Sequence, residues 1–232
     1  MMRLDFLFPR ICRWCGKEWE YLCSECKKRL IPHPEICPFC HQKSSAFKTC
    51  LHCHENYPSL EGIIIGFEYD KLIQKLIFQV KFYHKKDVVD FLSDRLVLLF
   101  SSHEILQKED KNLIAFSFIP SHRRRKYLEK GYNQSELLAK ALARKVQLPC
   151  VQVAKKVKYT LSQLHFDKQG RQKNLHQAFK LFSLDTLAKN SILILVDDVT
   201  TTGATLVELS KLVKEARPDI RIRGLVLARH NG

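Results

Sequence analysis

No stretch of this chain approaches eighteen uninterrupted apolar residues, so the sequence offers no transmembrane helix. Its beginning, MMRLDFLFPRIC, has too short an apolar run and no small-residue cleavage site for a secretory signal, so a cytoplasmic location is the expectation. Low-complexity linkers are missing, and nothing repeats beyond a set of cysteine pairs. Acidic residues are scarce: 24 Asp and Glu stand against 39 Lys and Arg, a formal net charge of +15. That imbalance raises nucleic acid as a partner, but the excess is unevenly placed. Residues 1–56 hold nine Lys/Arg and six Asp/Glu, which leaves +12 to residues 57–232. Cysteine is distributed the other way. Eight of the nine precede residue 54, which excludes a disulfide framework spread over the whole fold.

What is present fits a globular protein of 232 residues with 45% apolar and 27% charged content, enough for one α/β domain and a small appendage. The eight early cysteines form four C-x-x-C knuckles: Cys12/Cys15, Cys23/Cys26, Cys37/Cys40 and Cys50/Cys53. Two intervening residues let a tight turn aim both sulfurs at one tetrahedral ion, and a second turn closes the site, so four knuckles imply two zinc ions. Sequential pairing, first with second and third with fourth, is expected, with cross-braced pairing as the alternative. His41, His52 and His54 read as spectators. Four thiolates leave no open position for water, so these zinc ions are structural: they stabilise a segment too short to build its own core. With two zinc ions bound as thiolate sites the segment's net charge falls to about −1, which argues against a basic finger that clamps DNA alone.

Strands then alternate with amphipathic helices. EGIIIGFEY (61–69), LIAFSFIP (113–120), SILILV (191–196) and IRIRGLVLAR (220–229) read as strands, and residues 71–82, 87–100, 135–146 and the segment after Gly203 read as helices. This is the pattern of a mostly parallel sheet with helices on both faces. The boundary between the cysteine module and this domain falls at about residue 56, giving segments 1–56 and 57–232. Cys150, alone at a strand start, is expected to pack inside.

The segment "ILILVDDVTTTGATL" drives an apolar strand into two adjacent carboxylates and then into hydroxyl-rich residues. Ligands of an open parallel sheet sit beyond the carboxyl ends of its strands, where Asp197 and Asp198 fall. Thr200, Thr201, Thr202, Gly203, Ala204 and Thr205 turn into a helix whose first N–H groups and dipole suit a phosphate. Two carboxylates beside a phosphate would repel it unless they face a diol or a magnesium ion, and a ligand with both ends is a ribose 5-phosphate. No lysine follows Gly203 and no G-x-G-x-x-G occurs, so the other common phosphate loops are excluded.

This segment resembles the phosphoribosyl pyrophosphate (PRPP) motif of type I phosphoribosyltransferases. The resemblance assigns Asp197 and Asp198 to the ribose hydroxyls and counts Val199 to Thr205 as PRPP-binding, with the 5′-phosphate on Thr201, Thr202, Gly203, Ala204 and Thr205. "IPSHRRRKYLEKGYNQSELLAKALA" (119–143), "TLSQLHFDKQGRQKNLHQAF" (160–179) and the preceding knuckles are similar to the ComF family of competence proteins. That resemblance implies PRPP with Mg²⁺ as ligand and a role in DNA uptake. It also implies single-stranded DNA and a competence helicase or other DNA-uptake proteins as partners. Ser121, His122, Arg123, Arg124, Arg125 and Lys130 read as a loop for the leaving pyrophosphate, although nucleic-acid phosphates would use the same chemistry. His122 reads as a surface residue more readily than as a base. Residues 155–173 carry six Lys/Arg with interspersed aromatic residues; the resemblance implies a mobile loop or hairpin over Lys155 to Phe179 that covers the sugar, and such a basic, aromatic surface would equally stack on unpaired bases. The acceptor nucleophile has no signature here.

Overall fold

The structure is a computed structural model that describes residues 11, 12, 14–18, 22–83, 86–121, 133–157 and 178–230. Its strands are β1 (Ile63–Glu68), β2 (Ile114–Phe118), β3 (Ala154–Lys156), β4 (Phe179–Leu181), β5 (Ile192–Thr200) and β6 (Arg221–Arg229). Four of them form a parallel sheet in the order β1-β6-β5-β2, while β3 and β4 pair antiparallel as a separate ribbon. The sheet strands read as near-continuous apolar runs because both faces are covered. Residues 192–196 of β5 and 222–229 of β6 are all buried. Helices Lys71–Tyr83, Lys86–Ser101, Gln134–Val146 and Ala204–Ala216 supply that cover on both faces. The apolar positions that marked them in the sequence do face inward: Leu72, Ile73 and Leu76 in the first, Leu138 and Leu142 in the third, Leu206, Leu209 and Val213 in the last.

The chain order places a crevice. From β2 the chain crosses to Cys150, which bridges Phe116 on the side of β2 away from β5. From β5 it crosses in the opposite direction, to β6. The strand order therefore reverses between β2 and β5, and their carboxyl ends bound an opening where ligands of such sheets bind. Cys150 itself is half-buried, and burial pushes its thiol up to about 11.

The cysteine segment is docked on the other edge. Residues 31–33 run antiparallel to β1, with Pro32 opposite Phe67, the Glu68 N–H donating to the Ile31 carbonyl and the His33 N–H to the Gly66 carbonyl. This covers a strand edge that would otherwise expose a row of unpaired backbone groups. Gly62 permits the close approach, since a Cβ there would run into the Phe47 carbonyl oxygen. Charge closes the base of this contact. Arg221 forks onto Glu61 at 2.8 and 3.1 Å and reaches Glu109 at 2.7 Å, while buried Arg223 lies 3.5 Å from Glu61 and donates to the Ala46 carbonyl. Among the described residues no helix is long and apolar enough to cross a membrane.

Candidate functional site

The strand expected to stop near Val196 continues to Thr200, because β6 is long enough to pair with it as far as Arg229. Asp197 and Asp198 therefore sit on the last, protruding rungs of β5, beyond the end of β2, whose last strand residue, Phe118, pairs with Val196. Adjacent residues of a strand project to opposite sides, and the two carboxylates accordingly have different surroundings. Asp197 Oδ1 accepts the Ser135 hydroxyl at 2.7 Å and the Asp198 N–H at 3.0 Å. Asp198 accepts the N–H of Val199 at 2.8 Å. Burial, with the neighbouring Asp198 charge added, holds the Asp197 carboxyl well above the usual carboxylate range. On the other flank burial and the Asp198 charge raise the phenol of Tyr69, whose ring meets His230 edge-on at 5.1 Å.

The turn after β5 carries two hydrogen bonds of its own. Thr200, buried, accepts the Gly203 N–H on its hydroxyl at 3.1 Å, and Thr202 accepts the Ala204 N–H at 3.4 Å. Gly203 has φ +76°, a left-handed conformation, and caps the Ala204–Ala216 helix. The half-exposed Thr201, Thr202, Ala204 and Thr205 surround a helix start whose first N–H groups lack intrahelical acceptors. Such a start, preceded by a glycine turn, is suited to an anion. An added Cβ at Gly203 would lie 2.9 Å from Ile63 Cδ1 and 3.7 Å from Phe39 Cε1. Gly203→Ala is expected to lower stability by about 1–2 kcal/mol from the left-handed φ alone, read as a drop in chemical denaturation midpoint without a change in its slope.

Of the basic loop, only Ser121 is described. His122, Arg123, Arg124, Arg125 and Lys130 lie outside the described residues, as do residues 158–177 of the second basic stretch. The ribbon of β3 and β4 brackets that second stretch on the chain. At the crevice mouth the Ser121 hydroxyl and the Gln134 amide nitrogen are shielded from solvent without a hydrogen-bond partner among the described residues. Asn133, buried, donates to the Ile119 carbonyl at 2.7 Å and so fixes the exit of β2. Ser135 and Asn133 stand beside the candidate site and were not singled out in the sequence. Their signal was the N-Q-S opening of a helix, a pattern that says "cap" locally and gives no hint of a partner 62 residues away.

The knuckles gather sequentially. The sulfurs of Cys12, Cys15, Cys23 and Cys26 lie within 4.8 Å of one another, as do those of Cys37, Cys40, Cys50 and Cys53. A tetrahedral zinc with about 2.3 Å bonds separates its sulfurs by about 3.8 Å. The Cys15–Cys23 and Cys40–Cys50 sulfurs are 3.6 and 3.7 Å apart, so both sets fit. The Cys23 and Cys50 N–H groups point at the Cys12 and Cys37 sulfurs, the outer contacts that orient thiolate ligands. Burial opposes ionisation of Cys12 and Cys37, yet backbone N–H groups outweigh it and bring both to about 6. Burial and the neighbouring sulfurs push Cys26 and Cys53 up to about 12. Four sulfurs that cannot share a second negative charge can do so around a dication. His41 stands outside both sulfur clusters, as expected, and its ring nitrogen lies 2.6 Å from the Arg229 guanidinium.

The phosphoribosyl transferase domain family matches residues 133–232. Competence protein F of Haemophilus influenzae is 30% identical over 218 residues, covering 89% of this chain and 90% of that protein. DNA utilization protein YhgH of Escherichia coli is 28% identical, covering 83% of each. Competence protein ComFC of Bacillus subtilis is 26% identical over 81% of this chain and 75% of that protein.

Proposed function

The chain belongs to the competence protein F family, and on that premise we propose that it binds PRPP with Mg²⁺ at the end of β5 and acts, in the cytoplasm, in the handling of incoming DNA. The observation that carries the ligand is the juxtaposition of two carboxylates on the last rungs of β5 with a left-handed glycine turn that opens a helix. Asp197 and Asp198 hold the ribose hydroxyls, and the turn 201–205 holds the 5′-phosphate. The carboxyl of Asp197, kept difficult to ionise while the site is empty, gains from a ligand that donates hydrogen bonds to it. Ser121 and the basic residues that follow it grip the diphosphate at the sugar's C1. Magnesium, when bound with PRPP, neutralises charge on the departing diphosphate. Transfer then requires a nucleophile on the opposite face of the sugar: its bond to C1 forms while the C1–O bond breaks, and the electron pair leaves with pyrophosphate. The protein's part is positioning and electrostatics. Both cysteine sets hold structural zinc, and the zinc module ends near residue 56.

PRPP at millimolar concentration with Mg²⁺ is expected to raise the melting temperature, as any ligand specific to the native state does, and the Asp197→Ala/Asp198→Ala double variant to abolish the rise. An unshifted wild-type curve argues against the reading. The names carried by the relatives, with the formal charge of +15, favour single-stranded DNA as a further partner, PRPP then serving as a regulator. That reading requires DNA affinity that falls steeply between 50 and 200 mM salt, on the order of 10³-fold for about six phosphate contacts.

A further inference from the structure

The third knuckle, Cys37-Pro38-Phe39-Cys40, is built against the phosphate turn. The Phe39 ring edge lies 3.7 Å from where a Gly203 Cβ would stand, and its face stacks on Tyr57 with centroids 3.8 Å apart and planes 10° from parallel. One residue earlier, the Pro38 carbonyl accepts from the buried Arg229 guanidinium at 2.9 Å, and one residue past the knuckle His41 meets the same guanidinium. Arg229 is the rung of β6 opposite Thr200, and the following N–H, of His230, donates to the Thr200 carbonyl at 2.9 Å. Thr200 in turn holds the Gly203 N–H. A continuous path of contacts therefore runs from the second cysteine cluster through Arg229 to Thr200 and Gly203, and the Phe39 ring borders the space that a side chain on Gly203 would enter. None of these contacts involves the first cluster. The residue equivalent to Phe39 in its first knuckle, Trp14, lies instead beside the Lys75 ammonium, 5.5 Å from its ring centroid.

We infer that Phe39 and Arg229 are positioning residues that make the phosphate turn and the second cysteine cluster one unit, so that zinc at that cluster and a sugar phosphate at the turn bind cooperatively. This rests on the phosphopentose reading of the turn. The physical reason is that the turn cannot hold its own shape. A left-handed glycine with a threonine brace is a loop conformation that surrounding structure must impose, and here one wall of that surround is a knuckle that is rigid only when its four sulfurs share an ion. Coupling of this kind is reciprocal: whatever factor zinc contributes to sugar-phosphate affinity, the sugar phosphate contributes to zinc affinity.

The test uses the full chain loaded with two zinc ions and ribose 5-phosphate as probe, because it lacks the diphosphate that would itself bind zinc. Calorimetric titration of wild type, Phe39→Ala, Arg229→Lys and Trp14→Ala is compared at equal zinc content. Phe39→Ala and Arg229→Lys are expected to weaken ribose 5-phosphate binding by about tenfold, within the usual range of coupling, and Trp14→Ala to leave it unchanged. On wild-type protein, equilibrium competition with a chromophoric chelator is expected to show one of the two zinc ions held about tenfold more tightly when ribose 5-phosphate is present. Equal sugar affinity in Phe39→Ala, an equal loss in Trp14→Ala, or superimposed zinc competition curves each overturn the coupling while leaving the phosphopentose site standing. Wild-type protein that fails to bind ribose 5-phosphate removes the phosphopentose site, and the coupling with it.

Discussion

Replacing Asp197 with asparagine is expected to raise the melting temperature of the ligand-free protein by roughly 2–4 °C, the shift that about 1 kcal/mol produces in a chain of this size. The same substitution is expected to weaken PRPP binding by about 10- to 100-fold, the loss of one charge-assisted hydrogen bond. The two effects share a cause. The Asp197 carboxyl is held above its ordinary range by burial and by Asp198, so the native state binds its proton more tightly than the unfolded chain does. Ionising it therefore subtracts stability as pH rises through the interval between the ordinary aspartate value and the raised one, and at neutral pH the empty site carries that cost. Asparagine keeps an oxygen that can accept from Ser135 and from the Asp198 N–H while removing the charge. Below the ordinary aspartate range the stability difference between variant and wild type is expected to vanish. Differential scanning calorimetry from about pH 3 to about pH 8 checks the first effect and calorimetric PRPP titration the second. A variant that is less stable at neutral pH, or one that binds PRPP as wild type does, contradicts the assignment.

Losing the metal is expected to have the other large effect. Structural zinc contributes on the order of 10–16 kcal/mol in small peptides, far more than a segment of this length can replace by packing. Chelation, or a Cys→Ser change in either cluster such as Cys26→Ser or Cys53→Ser, is expected to unfold the docked segment and expose the edge of β1, with its partners at Pro32 and His33 gone. Arg229 would lose its acceptor on Pro38, which is costly for a buried guanidinium, while Arg223 would lose Ala46 and keep Glu61. The expected readout is two zinc ions per chain by elemental analysis in the intact protein. After chelation, proteolysis should remove the amino-terminal segment while the fragment containing β5 and β6 survives, and the sample should aggregate along the uncovered strand. One zinc per chain, or chelated protein with an unchanged digestion pattern, contradicts two structural sites.

The sequence made some of this legible and hid the rest for identifiable reasons. β5 and the turn could be read because carboxylates, hydroxyls and glycine follow one another without a gap, and each residue type has its own chemical requirement. The helix faces were readable from period alone, as Leu206, Leu209 and Val213 illustrate. The length of β5 was underestimated, since Asp197 to Thr200 are poor strand formers that extend only because β6 pairs with them. The strands of the β3–β4 ribbon were not readable from pattern, because three residues cannot show an alternation, and only the resemblance implied a loop or hairpin over Lys155 to Phe179. Nothing in the order of residues indicated that Phe39 would meet Gly203, or that Pro38 would accept from Arg229 across 191 positions. Contacts of that separation arise from docking one unit on another, which local pattern does not encode. The same limit applied to Ser135, whose hydroxyl looks like a cap in the sequence and is a carboxylate's partner in the fold.

The most direct measurement is a crystal structure of the zinc-loaded chain with PRPP and Mg²⁺. The account predicts the 5′-phosphate within hydrogen-bond distance of backbone N–H groups in the turn 201–205 and the ribose hydroxyls on the carboxylates of Asp197 and Asp198. A sugar phosphate bound elsewhere on the sheet, or a turn left empty at saturating ligand, contradicts it.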